Sequence, residues 1–310
     1  MTTAKAPTGR SMRSVNAADL SFRIVVGIIT IFSFLIVIYP MYFIVIASFS
    51  DSTLVNQGQV ILYPKNASLY GYEQIFQRED IWRGYLNTII YSFFGTALNL
   101  AVTLPAAYVL SRKSFAARRI IMKLFVFTMY FNGGMIPTYM LIKDVGLLDN
   151  PLVMIIFGAV NVYNLIITRT FFETSIPDEL YEAATLDGCS HFRYFGTIVL
   201  PLSKAVIAVI MLYYLVGHWN DFFNALLYLN SDRYQPLQII LRNLLLLNQA
   251  MAGTTGSAGA GGAGGGAYAQ QYADQIKFGA IIVSTIPVLC VYPFIQKYFE
   301  KGVMIGAVKG

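Results

Sequence analysis

A chain of 310 residues, 56% apolar and only 12% charged, carries about half the charge of an average soluble domain and has the composition of a polytopic membrane protein. The formal charge of +6 is not gathered into a basic stripe with interleaved aromatics, so nucleic acid is excluded as a partner. Two cysteines, Cys189 and Cys290, lie far apart without a CxxC pair, which argues against a disulfide framework or a zinc site.

The N-terminus is basic and leads into a run from Ile24 to Phe49 without a charge. As a helix that run exceeds the roughly 30 Å hydrocarbon core. It lacks the short apolar core and small-residue cleavage site of a signal peptide, so it reads as a retained span over 23–48, with Pro40 as a possible kink. Further spans follow at 84–110, 119–141, 151–172, 197–218 and 277–296. The third contains the break FNGGMIP, and the fourth opens at Pro151. The expected fold is all-α, with six transmembrane helices. The expected organisation is a tail at 1–20, a membrane domain at 21–300 and a tail at 301–310.

Six spans put both termini on one side. Fifteen of the 22 Lys and Arg residues fall on the side of the termini and of loops 111–123 and 169–204. The cation bias makes that side cytoplasmic. Residues 51–83 and the loop 219–275 are then external. Within the latter, AGTTGSAGAGGAGGGA (252–267) reads as a flexible spacer.

One cytoplasmic loop, 175–196, is not built for lipid. Residues 181–201 read YEAATLDGCSHFRYFGTIVLP. Ser175-Ile176-Pro177-Asp178-Glu179 is a helix start, with proline at its opening and acids in its first turn. Leu180, Ala183, Ala184 and Asp187 recur at helical spacing, and the two alanines are small enough for close approach. Gly188 fits the left-handed stop. His191, Phe192, Tyr194 and Phe195 make a second, aromatic turn, and Ile198, Leu200 and Pro201 lead back into the membrane.

Polar side chains inside spans tend to face a bundle interior or a cavity. Asn132 and Tyr130 in the third span, and Asn161, Tyr163 and Asn164 in the fourth, are candidates for a sugar path. Asn161 and Asn164 are three apart and share a helix face. Packing between helices is the stronger explanation for most of these, since asparagine commonly bonds across helices. Trp219-Asn220-Asp221 ends the fifth span, either to contact a partner or to cap the helix. His191 and His218 are too scattered for a metal site, and no catalytic grouping stands out. No GxxxxGK[ST] phosphate loop is present.

The spacing EAA-x3-G-x9-I-x-LP over Glu182, Ala183, Ala184, Gly188, Ile198, Leu200 and Pro201 resembles the EAA loop of binding-protein-dependent ABC importer permeases. FNGGMIPTYMLIKDVGLLDN (131–150), GHWNDFFNALLYL (217–229) and KYFEKGVMIGAVKG (297–310) are similar to the carbohydrate branch of that family. The likeness extends to its subgroup importing oligosaccharides of acidic or complex polysaccharides, such as alginate or pectin. The resemblance implies a non-enzymatic subunit in a bacterial cytoplasmic membrane. Its partners would be a second homologous permease, two ATPase subunits, an extracytoplasmic solute-binding protein, membrane lipid and an oligosaccharide. ATP and Mg would sit on the ATPase, with no cofactor on this chain. Glu182, Ala183, Ala184 and Gly188 would form the docking element, and Asp187, Ile198, Leu200 and Pro201 would complete the ATPase-coupling set. An ion-coupled secondary transporter is the alternative. It calls for intramembrane acids or paired broken helices, and no Asp or Glu lies in the middle of a span. A membrane-embedded enzyme lacks a catalytic group at membrane depth.

Overall fold

The structure, a computed structural model, describes residues 17–255, 276–293 and 296. Among the described residues every regular element is helical. The organiser is the central helix Glu79–Ser111. Its 33 residues run about 50 Å at 1.5 Å per residue, longer than a bilayer core. Acids Glu79 and Asp80 occupy its first turn, where they complement the helix dipole.

The side chains of this helix are sorted by size as much as by polarity. Gly84, Thr88, Ser92, Gly95, Thr96, Asn99, Thr103 and Ala107 are buried. Leu86, Ile89, Phe93 and Phe94 point outward. That is the arrangement lipid favours, because hydrocarbon gives no hydrophobic reason to bury large apolar groups and small residues let backbones approach. The helices Lys204–Trp219, Val162–Ser175 and Leu237–Thr255 pack on it. A Cβ on Gly95 would lie 2.5 Å from the His218 ring, so the closeness of Lys204–Trp219 depends on that glycine.

Three helices are long and apolar enough to cross a membrane: Leu20–Ser48, Glu79–Ser111 and Ile276–Pro293. The count rises to five if each sharply bent pair is one crossing. The expected third span is such a pair, Arg118–Tyr130 and Met135–Asp144, bent by 111°. The bend follows from Gly134 at φ +86° and from Asn132, whose Oδ1 accepts the Gly134 N–H at 3.0 Å. The expected fifth span, too, is two helices, His191–Leu202 and Lys204–Trp219, at 83°.

The expected fourth span, 151–172, is broken into Val153–Ile156 and Val162–Ser175. A break at membrane depth must have its backbone groups satisfied by protein. Asn99 Nδ2 donates to the carbonyls of Gly158 and Ala159 at 3.0 and 2.9 Å. Its Oδ1 accepts from His218 Nε2 at 2.7 Å. The Asn161 N–H donates to the Tyr214 hydroxyl at 3.2 Å, which also meets Thr103 Oγ1 at 2.8 Å. The asparagine and tyrosine inside the bundle thus replace hydrogen bonds that the broken helix gives up.

The loops expected to be external are more structured than their length suggests. Residues 237–255 form a helix whose Leu237, Ile240, Leu241 and Leu244 are buried. Trp219 is buried and donates to the Ser284 carbonyl at 3.1 Å. Tyr85 donates to the carbonyl of Val283. These bonds hold Ile276–Pro293 to the bundle, so Trp219 is a structural anchor, and Asp221 caps the Asn224 N–H at 3.2 Å. Asp149, in the left-handed region at φ 55°, accepts from the Asn230 and Ser231 N–H groups at 2.9 and 2.8 Å. The stretch 131–150 is thereby tied to 217–231. Residues 1–16, 256–275 and 297–310, with most of the glycine-rich stretch and the C-terminal ending, lie outside the described residues.

Asn99→Leu should lower the thermal unfolding temperature of the detergent-solubilised chain. It strips two carbonyls and His218 of their partner, a loss of about 1–3 kcal/mol. An unchanged unfolding temperature would remove Asn99 from this role.

Candidate functional site

Residues 175–201 form one compact surface unit. The loop helix runs from Asp178 to Leu186, with Asp178 and Glu179 in its first turn and Pro177 one position before it, at the cap. It stops in a Schellman arrangement. The Gly188 N–H donates to the Thr185 carbonyl at 3.0 Å, and the Cys189 N–H to the Ala184 carbonyl at 2.9 Å. Gly188 sits at φ +73° with nothing within 4 Å of a built Cβ. The constraint at this position is therefore backbone conformation, not space. Ser190 then caps the turn His191–Tyr194 by accepting the Arg193 N–H at 3.4 Å.

One face of the unit is sunk into the membrane bundle. Ala184 (8% exposed), Tyr194 and Val199 join Leu104, Ala107, Tyr108, Leu165, Phe172 and Ile210 in a single apolar cluster. Tyr181 and Cys189 pack against it. The two adjacent alanines face opposite ways: Ala184 seats the helix on its own chain, while Ala183 is exposed. Lys113, just beyond the central helix, bonds Asp178 at 2.7 Å. That hydrogen bond, opposed by slight burial and helped by the Lys113 charge, holds the Asp178 carboxyl below the usual carboxylate range. The pair is exposed on both sides, so it guides the helix more than it stabilises it.

The opposite face is offered outward. Glu182, Ala183, Asp187 and Gly188 are all exposed, and among the described residues Glu182 and Asp187 have no ion pair. Beside them stand Leu186 and Phe192, each 90% exposed. They flank Gly188 and make an apolar tip rimmed by carboxylates. Exposed apolar groups that gather into a patch are candidates for a contact surface. In sequence Phe192 is one residue of an aromatic turn and Leu186 carries no signal of its own.

Ile198, Leu200 and Pro201 are not part of that tip. Ile198 belongs to a π-helical turn, Phe195–Val199. Leu200 and Pro201 open the short stretch before the 83° bend. Proline removes one helical donor there, and the Ser203 N–H turns to the Val199 and Leu200 carbonyls, both at 3.1 Å. The motif's second half is thus the corner by which the surface unit joins the helix Lys204–Trp219.

The candidate sugar-path residues are dispersed in their environments. Tyr130 (75% exposed) and Asn132 stand at the bend after Arg118–Tyr130. Tyr163 is exposed as well. Asn161 uses its Oδ1 to cap the helix Val162–Ser175, accepting the Asn164 N–H at 3.1 Å. Asn164 is buried. Among the described residues no group of three His, Cys, Asp or Glu side chains could hold a metal ion.

The family model for the binding-protein-dependent transport system inner membrane component matches residues 9–305. The chain belongs to that family. It is a permease component, not an enzyme. The permease is 40% identical to the protein LplC of Bacillus subtilis over 275 residues, 89% of this chain and 90% of LplC. It is also 40% identical, over 93% of its length and 97% of the other's, to the polygalacturonan/rhamnogalacturonan transport system permease protein YtcP of the same bacterium. A solved bacterial ABC transporter involved in the import of the acidic polysaccharide alginate contains a chain matching with a TM-score of 0.77 and 32% identity. The match covers 94% of the permease and all of that chain.

The left-handed turn after the loop helix generates a paired prediction. Gly188→Val should cost the loop about 1–2 kcal/mol in backbone strain and abolish ATP-driven uptake, with membrane insertion intact. Gly188→Asn, which tolerates this conformation, should keep most uptake. Equal uptake by the two variants would dismiss the turn as the reason for glycine.

Proposed function

We propose that this permease imports an oligosaccharide of the kind cut from pectin or a comparable acidic polysaccharide. It does so together with a second homologous permease, two ATPase subunits carrying ATP and Mg, and an extracytoplasmic solute-binding protein. The chain crosses the bacterial cytoplasmic membrane six times, counting broken helices as single crossings, with both termini inside. The cation distribution supports that orientation.

The observation that carries the reading is the rigidly seated loop 178–195 with its apolar tip, Leu186 and Phe192, turned to solvent. Small Ala183 and the bend at Gly188 let this tip enter a cleft in the ATPase. Glu182 and Asp187 on its rim suit basic partners there. ATP binding closes the ATPases, the loop is displaced, and the bundle alternates between outward and inward openings. The N-terminal helix Leu20–Ser48 exposes large apolar side chains all along its length, with only its C-terminal end buried. Lipid and the companion permease are the surfaces that suit it. Tyr130 and Tyr163 are exposed, as are Asn132 and Asn161, each of which spends its Oδ1 on a backbone N–H and keeps its Nδ2 for a sugar. The substrate class rests on the relatives that carry pectin- and alginate-derived material. An ion-coupled secondary transporter is not favoured by this family membership.

The test is uptake in vesicles holding the full assembly, with labelled oligogalacturonide against neutral raffinose as probes. ATP-dependent uptake of the oligogalacturonide alone is expected. Raffinose uptake would refute the acidic class, and uptake without ATP would refute the coupled mechanism. Leu186→Asp should release the ATPase from detergent-purified complexes, because it places a charge in the docked interface. Undiminished co-purification would exclude the tip as the docking surface.

A further inference from the structure

We propose that Arg112 is a positioning residue of the transport cycle, the tie that makes the loop helix and the end of the central helix move as one body. The inference rests on the proposed reading of the loop as the element that receives the ATPase's motion. Arg112 follows the last residue of the central helix. Its guanidinium carbon lies 4.8 Å from the Tyr108 ring centre, 5.1 Å from Tyr181 and 5.2 Å from Tyr194. All are within the range of cation–π attraction.

The rings come from different elements. Tyr108 stands one turn back on the central helix. Tyr181 belongs to the loop helix, and Tyr194 to the turn beyond Gly188. Tyr181 and Tyr194 meet edge to face, 5.3 Å between centres. Tyr108 and Tyr194 are 6.4 Å apart. One cation thus holds three segments to one another.

Ring faces surround this cation with no described acid in ion-pair contact, and its charge reaches the loop helix a second way by adding to that of Lys113 on the Asp178 carboxyl. Arg112 Nε is buried without a hydrogen-bond acceptor, and the buried hydroxyls of Tyr108 and Tyr194 likewise have no partner. Among the described residues Arg112 has no ion pair. The apolar seat around Ala184 resists separation but has no direction of its own. The Lys113–Asp178 bond is exposed, and water and salt weaken such bonds. A planar guanidinium among three rings restrains sliding as well as separation. Lysine, a compact and strongly hydrated charge, does not reproduce that contact.

The test uses the complete assembly of this chain, its companion permease, the ATPases and the binding protein. It compares Arg112→Met, Arg112→Lys, Tyr181→Leu and Tyr181→Phe with wild type. The first readout needs no sugar: amide hydrogen exchange over 178–186. Arg112→Met, Arg112→Lys and Tyr181→Leu should each speed it roughly tenfold, the size a desolvated cation–π contact supports. Tyr181→Phe, which loses only the hydroxyl contact to His191 Nε2 at 3.2 Å, should not. Arg112→Met combined with Tyr181→Leu should speed it by less than the product of the two single effects, because the two residues share one contact. The second readout is oligogalacturonide imported per ATP hydrolysed, which a purely structural role would not change. It should fall roughly tenfold in the same three variants while hydrolysis continues.

Unchanged exchange in Arg112→Met, or faster exchange in Tyr181→Phe, overturns the cage. Faster exchange with an unchanged import ratio overturns its part in the cycle. A wild-type assembly that hydrolyses ATP but does not import the probe overturns the substrate reading instead, and the exchange measurements still decide the cage.

Discussion

The seating of one surface helix on the end of one membrane helix is the contact on which the rest of this permease depends. Ala184 of the loop helix Asp178–Leu186 is buried in the same apolar cluster as Leu104, Ala107 and Tyr108 of the central helix and Tyr194 of the following turn. A larger residue at position 184 would lift the helix. A smaller one at 194 would leave a ring-sized cavity beneath it, which in packed interiors costs about 3–5 kcal/mol. The outer face is free to offer Leu186 and Phe192 because the inner face is fully used. Force applied at the tip then meets the bundle's core instead of a swinging loop.

That core solves a second problem, how to break helices at membrane depth. The interruption at 157–161 leaves backbone groups that lipid cannot satisfy, and the bends at 131–134 and near Pro201 must settle theirs locally. Asn132, Asn99 with His218, Tyr214 with Thr103, and the paired carbonyls before Ser203 supply local answers. At 157–161 the interior is polar for a structural reason. Helices cut into short rigid pieces by such breaks suit a protein that must repack between two openings.

The loop motif was legible because its constraints are local. A left-handed glycine, a helix start and an alanine pair are written within a few residues of one another, and the structure forms the turns that spacing implied. The single long helix Glu79–Ser111 was equally plain from its uninterrupted apolar run. The break in the fourth span was not, because PLVMIIFGAVNVYNLIITRTFF reads as one apolar helix until Asn99, some sixty residues earlier, is seen to sew Gly158 and Ala159 into the bundle. The helix at 237–255 was hidden inside what reads as a long loop because its burial depends on packing against the central helix. Leu186 looked like an ordinary apolar residue of an amphipathic helix, and only the fold shows which side it leaves bare. Arg112 carries no local signal, since two of its rings come from elements far along the chain.

The most direct measurement of whether loop and central helix travel together is a distance. Spin labels at Glu182, exposed on the loop helix, and Val109, exposed near the end of the central helix, would be followed in the full assembly without nucleotide and in an ATP-trapped state. The account predicts one narrow distance distribution, the same in both states. A distribution that shifts on trapping would mean that the loop swings on the bundle instead of driving it, and would contradict the mechanism.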